Sequence, residues 1–254
     1  MIKSFIHLSI FSILLLFGCK TEAPSDAEHL AKNTEVKILG TGDDTSIALA
    51  DNVMEANGGA AAWNATRYIQ WNFFGSRKHI WDKKTNDLII ESLKDKYLIK
   101  LNLANNEGSV LYNGIQHTEP DSLAKYIEKG KQMWNNDSYW LLLPYKLRDP
   151  GVDLKYLGKG TFEDRDDIDK IEMTYTAVGD TPNNKYHIYI HPESHRIIQW
   201  EFFPDASDEK PRFATPWTEY KQYGNIWLAG SRGENYALTD LMVDTPELEA
   251  AFKK

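Results

Sequence analysis

The amino-acid sequence predicts an α+β domain built on a long antiparallel sheet, with one helix ahead of the sheet and a helical insert within it. Two patterns carry that expectation. Apolar and polar residues alternate on both sides of the middle of the chain, the period of half-buried strands, and between these regions residues 120–143 change to the helical period. With 42 % hydrophobic and 12 % aromatic residues the chain can fill a sizeable core. No internal repeat or second composition regime divides it, so one domain is expected.

The N-terminus comes first. Lys3 precedes an apolar run from Phe5 to Phe17, a basic region followed by a short hydrophobic one, as in a secretory signal. A spanning helix needs about 20 apolar residues, more than this run supplies. The run ends Leu16-Phe17-Gly18-Cys19, which resembles the lipobox of bacterial lipoproteins. The resemblance implies that residues 1–18 are removed, that Cys19 receives a diacylglycerol thioether, and that the new N-terminus is acylated. Acyl chains at about 0.8 kcal/mol per buried methylene would make a membrane the first partner. Cys19 is the only cysteine, so no thiol remains for a disulfide or a metal.

Residues 19–44 are polar without a sustained period and read as a flexible tether, leaving 45–254 as the domain. Lys20 follows the cysteine, where an Asp would resemble an inner-membrane retention signal. The outer membrane is therefore expected, with the domain on the periplasmic side or at the surface. The net charge of −8 and the lack of a basic block speak against nucleic acid as a partner.

Within the domain, Ser46 can cap a helix carrying Ile47, Leu49, Ala50, Val53 and Met54, which Gly58-Gly59 would end. The period then becomes two. Ile69, Trp71 and Phe73 share one face, and Tyr97, Ile99, Leu101 and Leu103 oppose Lys100 and Asn102. Segments 78–82, 87–93 and 109–117 complete a meander of about five strands. Pro120 with Asp121 or Ser122 opens the insert, where Leu123, Tyr126, Ile127, Met133 and Trp134 fall on one side. A second apolar turn, Tyr139 to Leu143, is expected to stop at Pro144. Strands resume at 153–162, 169–178, 185–191, 196–203, 215–223, 226–236 and 238–243. Ile171, Met173 and Tyr175 alternate with Glu172, Thr174 and Thr176, so this sheet also has a wet face.

The stretches NGGAAAWNATRYIQWNF, YWLLLPYKLRDPGVDLKYLG and WTEYKQYGNIWLAGSR resemble a family of uncharacterised lipoproteins common in Bacteroidetes. With the order of elements after residue 46, they are similar to the LolA/LolB-type fold of lipoprotein sorting. The resemblance implies a curved sheet of about 10–12 strands that does not close into a barrel. The N-terminal helix and the central insert would cover it, and acyl chains would lie in its cavity. No catalytic residue carries over.

Other chemistry finds little support. His187 and His191 share a strand face with His195 past the turn, and three imidazoles could hold zinc. No cysteine or fourth ligand accompanies them, so a hairpin turning at Pro192-Glu193-Ser194 is expected. Asp164, Asp166, Asp167 and Asp169 lack the glycine and glutamate of an EF-hand loop and read as a solvated turn. G-x-S-x-G, H-E-x-x-H and C-x-x-C are all missing from the sequence. No metal, cofactor or catalytic group is expected.

The aromatic residues stand out, with eight Trp and thirteen Tyr. As the lining of a groove between sheet and helices, the sequence offers Trp71, Phe73, Ile99 and Leu101 of the early strands. Trp134, Trp140 and Leu141 of the insert and Met173 and Tyr175 of a later strand join them. The expected function is non-catalytic binding of a hydrophobic ligand, a lipid or the acyl part of another lipoprotein. The alternatives are an accessory lipoprotein whose packed domain docks a protein partner, and, third, an unrecognised hydrolase.

Overall fold

A computed structural model of the protein describes residues 39–92, 94–176 and 179–253. The leader, Cys19 and residues 19–38 of the tether lie outside the described residues. The described chain opens with a short strand β1 (Thr41–Gly42) and helix α1 (Asp44–Ala56). Asp43, not Ser46, is the N-cap: its carboxylate accepts the Ser46 N–H at 3.0 Å, satisfying one of the first-turn donors that lack helical partners. Ser46 is buried and donates its hydroxyl to the Asp43 and Leu154 carbonyls. The fold thus takes in residues 41–44, the end of the stretch read as tether. Gly58 breaks the helix at φ 116°, and a second short helix, α2 (Gly59–Ala65), follows at once.

Six strands then form an antiparallel meander: β2 (Tyr68–Phe73), β3 (Arg77–Asp82), β4 (Asp87–Ser92), β5 (Tyr97–Asn102), β6 (Gly108–Tyr112) and β7 (Ile115–Gln116). Helix α3 (Pro120–Lys146) interrupts the strands. They resume as β8 (Val152–Phe162), β9 (Arg165–Tyr175), β10 (Lys185–Ile190), β11 (Ile197–Phe203) and β12 (Phe213–Pro216). The chain ends with β13 (Thr218–Tyr223), β14 (Ile226–Ser231), β15 (Leu238–Val243) and helix α4 (Pro246–Ala251). The first sheet has the order β15-β2-β3-β4-β5-β6-β7 and the second β1-β8-β9-β10-β11-β12, while β13 and β14 pair separately. The sheets do not close into a barrel, as the α+β reading anticipated. Every pairing is antiparallel except β1 with β8.

Three differences from the sequence reading have physical causes. Segment 109–117 divides into β6 and β7 because Asn113 and Gly114 take positive φ, 51° and 77°, in a tight turn. Segment 215–223 divides into β12 and β13 because the chain leaves β11 after Trp217, whose N–H still donates to the Ile198 carbonyl at 2.8 Å, and pairs with β14 from Thr218. These divisions and the short β1 raise the strand count among the described residues to fifteen. Finally, Pro144 does not stop the insert, which is one continuous helix of 27 residues. A proline there deprives the Trp140 carbonyl of its helical donor. The buried guanidinium of Arg232 supplies a replacement, with Nη2 donating to that carbonyl.

Helix α3 crosses both sheets. Over the first it packs Ile127, Leu141 and Leu142 on Trp71, Ile90, Ile99 and Val110, all buried. Gly130 makes this approach possible, since a Cβ there would lie 2.7 Å from Leu101 Cδ2 and 3.2 Å from Ile99 Cγ2. Asp137 fixes the same half by charge. Its carboxylate accepts Nε–H and Nη2–H of Arg77 at 2.6 and 2.7 Å and Nε2–H of His79 at 2.6 Å. Burial pushes the Asp137 carboxyl up, but the His79 and Arg77 hydrogen bonds outweigh it and hold it low. Burial pushes the His79 imidazole down. Over the second sheet, α1 and the end of α3 bury Ala50, Val53, Leu143 and Leu147 against Ile171, Met173, Ile188 and Ile190. Helix α4 covers the reverse face of the first sheet, where Leu248 meets Tyr68, Ile80 and Ile89. Among the described residues no helix is long and apolar enough to cross a membrane.

Candidate functional site

Over the second sheet, α3 does not close down onto the strands. A cavity of about 1360 Å³ remains between the C-terminal half of α3, strands β9 to β12 and the Phe73-Phe74 end of β2. Strand register aligns the sheet face beneath it, whose inner residues are core and whose aromatic residues reach the cavity. Met173, Tyr186, Phe202 and Phe213 are successive cross-strand partners on four adjacent strands, and Ile171, Ile188, Trp200 and Thr215 form the next such row. Paired positions face the same side of a sheet, so both rows point toward α3.

Eleven of the lining side chains are aromatic, and five of their rings form a closed circuit. Tyr186 stacks on Trp200 at 5.0 Å, and Trp200 meets the edge of Trp140 at 4.9 Å. Trp140 stacks with Phe213 at 5.9 Å, Phe213 meets Phe202 at 5.2 Å, and Phe202 returns to Tyr186 at 5.3 Å. These separations suit offset and edge contacts between rings. The circuit extends through Tyr175 to Tyr139 on one side and through Phe74 to Tyr236 on the other. Phe74 sits at φ 51°, uncommon for a bulky residue, and its ring stands 5.2 Å from Trp140. Trp200 is 1 % exposed and forms the floor, while Phe213 at 37 % and Tyr236 at 58 % form the rim.

Few charges enter this wall. Lys146 is paired with Asp149 at 2.7 Å and lies 4.9 Å over the Tyr139 ring. Burial pushes its ammonium down, yet the Asp149 carboxylate keeps it above the ordinary value. Burial pushes the Tyr186 phenol up to about 12, so it stays neutral. Arg232 is 2 % exposed and lies 3.6 Å over the Trp217 ring. Its Nη1 donates to the Ala229 and Ser231 carbonyls at 3.2 and 2.6 Å. Burial pushes the guanidinium down to about 9.

Of the residues the sequence offers as lining, Phe73, Trp134, Trp140 and Tyr175 meet in the cavity. Trp71, Ile99, Leu141 and Met173 are instead enclosed in the cores, and Leu101 lies beneath Gly130. The space was expected over the early strands; it lies over the later ones. Tyr186, Trp200, Phe202 and Phe213 also line it and were not offered by the sequence reading; the alternation in IIQWEFF puts Trp200 and Phe202 on one face of their strand, and only the register brings them, Tyr186 and Phe213 to the Met173 face.

The histidines do not converge. His187 lies on the outer face between Glu201 and Glu172, at 3.2 and 3.3 Å. His191 Nδ1 accepts the Glu193 and Ser194 N–H groups at the hairpin turn. The acidic turn is shorter than expected: Asp167 and Asp169 belong to β9 and pair with Arg165 and Lys159. Among the described residues no group of three His, Cys, Asp or Glu is placed to hold a metal.

Fold and site together define an α+β protein with an unclosed antiparallel sheet and an aromatic-walled cavity. No protein-family model and no curated protein matches the sequence. Among solved structures, the chain is similar to a DUF1329 family protein from Desulfovibrio piger, at 14 % identity and a TM-score of 0.42, covering 80 % of this chain and 95 % of that one. It is also similar to MucB, at 12 % identity and a TM-score of 0.26, covering 81 % of this chain and 61 % of MucB.

Proposed function

We propose that the protein binds a hydrophobic ligand, a lipid or an acyl chain, without covalent chemistry, in the cavity between α3 and the second sheet. The observation that supports this most is the aromatic circuit that forms part of the wall of a cleft of about 1360 Å³. Apolar surface left to water forgoes about 25 cal/mol per Å², and a preformed cleft with a few polar groups is the usual form of a small-molecule site. A packed domain that only docks a partner protein would have no use for such a space.

The proposal includes a lipid anchor at Cys19, holding the domain at the cell envelope, at the outer membrane. Substitution Cys19→Ser should shift the protein from the membrane to the soluble fraction, and an unchanged distribution would reject the anchor. For the cavity, the purified protein is extracted and the organic phase analysed by mass spectrometry. Lipid recovered near one equivalent supports binding. No lipid recovered, joined to no uptake of a fluorescent fatty acid, rejects it.

A further inference from the structure

Two Lys or Arg side chains are buried among the described residues, Lys185 and Arg232; Lys185 donates to the Ala206 and Asp208 carbonyls and lies outside the cavity wall, whereas Arg232 lies in it. Arg67, Arg77 and Arg165 each grip a carboxylate with the Nε and Nη2 edge of the guanidinium: Asp82, Asp137 and Asp167 respectively. Lys146, in the cavity wall, has Asp149. Arg232 has no carboxylate partner among the described residues, although it is the most buried of them. Its Nη groups donate to three backbone carbonyls, and its Nε–H is buried and meets no acceptor. A buried charge is costly unless it is paired.

Among the lining residues, the buried polar side-chain atoms without a partner are Arg232 Nε, Trp200 Nε1 and Trp134 Nε1. All three are donors, and an indole offers nothing else. Arg232 and Trp200 flank one ring, Trp217, at 3.6 and 5.7 Å. The carboxylates of the lining, Asp149 and Asp180, meet Lys146 and Asn135, and neither is paired with Arg232.

We infer that the ligand of the cavity is an anionic amphiphile, whose carboxylate or phosphate head pairs with Arg232 while its apolar body lies along the aromatic circuit. The inference rests on the reading of the cavity as a ligand site. The carbonyl contacts orient the guanidinium, and the head supplies the missing charge. Arg212 at the rim is exposed and stays hydrated, so it contributes less to the choice of head.

Two ligand pairs test this, each differing only in head charge: oleate against methyl oleate, and dioleoyl phosphatidic acid against dioleoylglycerol. Affinities are measured by displacement of a neutral fluorescent lipid probe at pH 7.5. The charged member of at least one pair should bind at least tenfold tighter, and which pair shows the preference identifies a carboxylate or a phosphate head. Substitution R232M should collapse the preference toward unity, and R232K should keep part of it. Because Arg232 also holds the Trp140 carbonyl, circular dichroism must first show that each variant is folded. The wild-type ratios need no variant: equal affinity within both pairs overturns the anionic head and leaves the cavity reading intact. A probe that does not bind at all overturns both.

Discussion

One helix, α3, covers two sheets with opposite results. Over the first sheet it lies close, because Gly130 presents no side chain to Ile99 and Leu101, and the interior is filled. Over the second its end packs Leu143 into the core, but at Trp140, which meets Trp200 edge-on and Phe213 face-on, a space is left beside it. The cavity is what remains. Whether the gap between helix and sheet becomes core or site is decided where a few α3 side chains meet the strands, glycine closing it and tryptophan propping it.

The comparison can be broken most severely at Asp137. Asp137→Ala would leave Arg77 and His79 buried on the closed half without their shared carboxylate, at a cost of about 3–5 kcal/mol, read as a fall in the urea midpoint. A loss below 1 kcal/mol would mean that the charged pin does not hold α3 down. Leu101→Trp comes next. With Gly130 directly above, the larger ring overpacks the closed half and should cost about 1–3 kcal/mol, while uptake of a fluorescent fatty acid continues. Abolished uptake at unchanged stability would place the site over the first sheet instead.

A smaller effect separates the halves by pH. Folded His79 is neutral, because burial pushes its imidazole down and its buried Nδ1 has no acceptor for a further proton. Unfolded, it takes up a proton near its ordinary value of about 6.5. Below that value the unfolded state binds more protons, so stability falls as pH drops from about 7 toward the lowered folded value. Asp137, held low, adds its loss only below about 4, as pH falls toward its own folded value. Urea midpoints at pH 7.5 and 5.5 should differ in the wild type and differ less in His79→Gln. Equal slopes in the two proteins would contradict the assignment.

Much of the closed half was legible in the sequence. Ile69, Trp71 and Phe73 alternate with polar neighbours, and the alternation alone shows which side faces inward. It cannot show how near the opposing helix comes. Trp71 and Trp140 look alike as letters, yet one is buried under the helix and the other props it. Gly130, on the same helix side as Ile127 and Trp134, was the available sign of close approach. The continuity of α3 through Pro144 could not be read locally, because the compensating donor, Arg232, lies far along the chain and reaches Trp140 only in the fold.

The most direct test of the central claim is tryptophan quenching by a brominated fatty acid, since bromine quenches only rings it nearly touches. Trp140 and Trp200 line the cavity, whereas Trp71 is sealed beneath α3. The wild type should show saturable quenching that drops in Trp140→Phe and persists in Trp71→Phe. Quenching that survives Trp140→Phe and disappears in Trp71→Phe, or none at all, would contradict a ligand site over the second sheet.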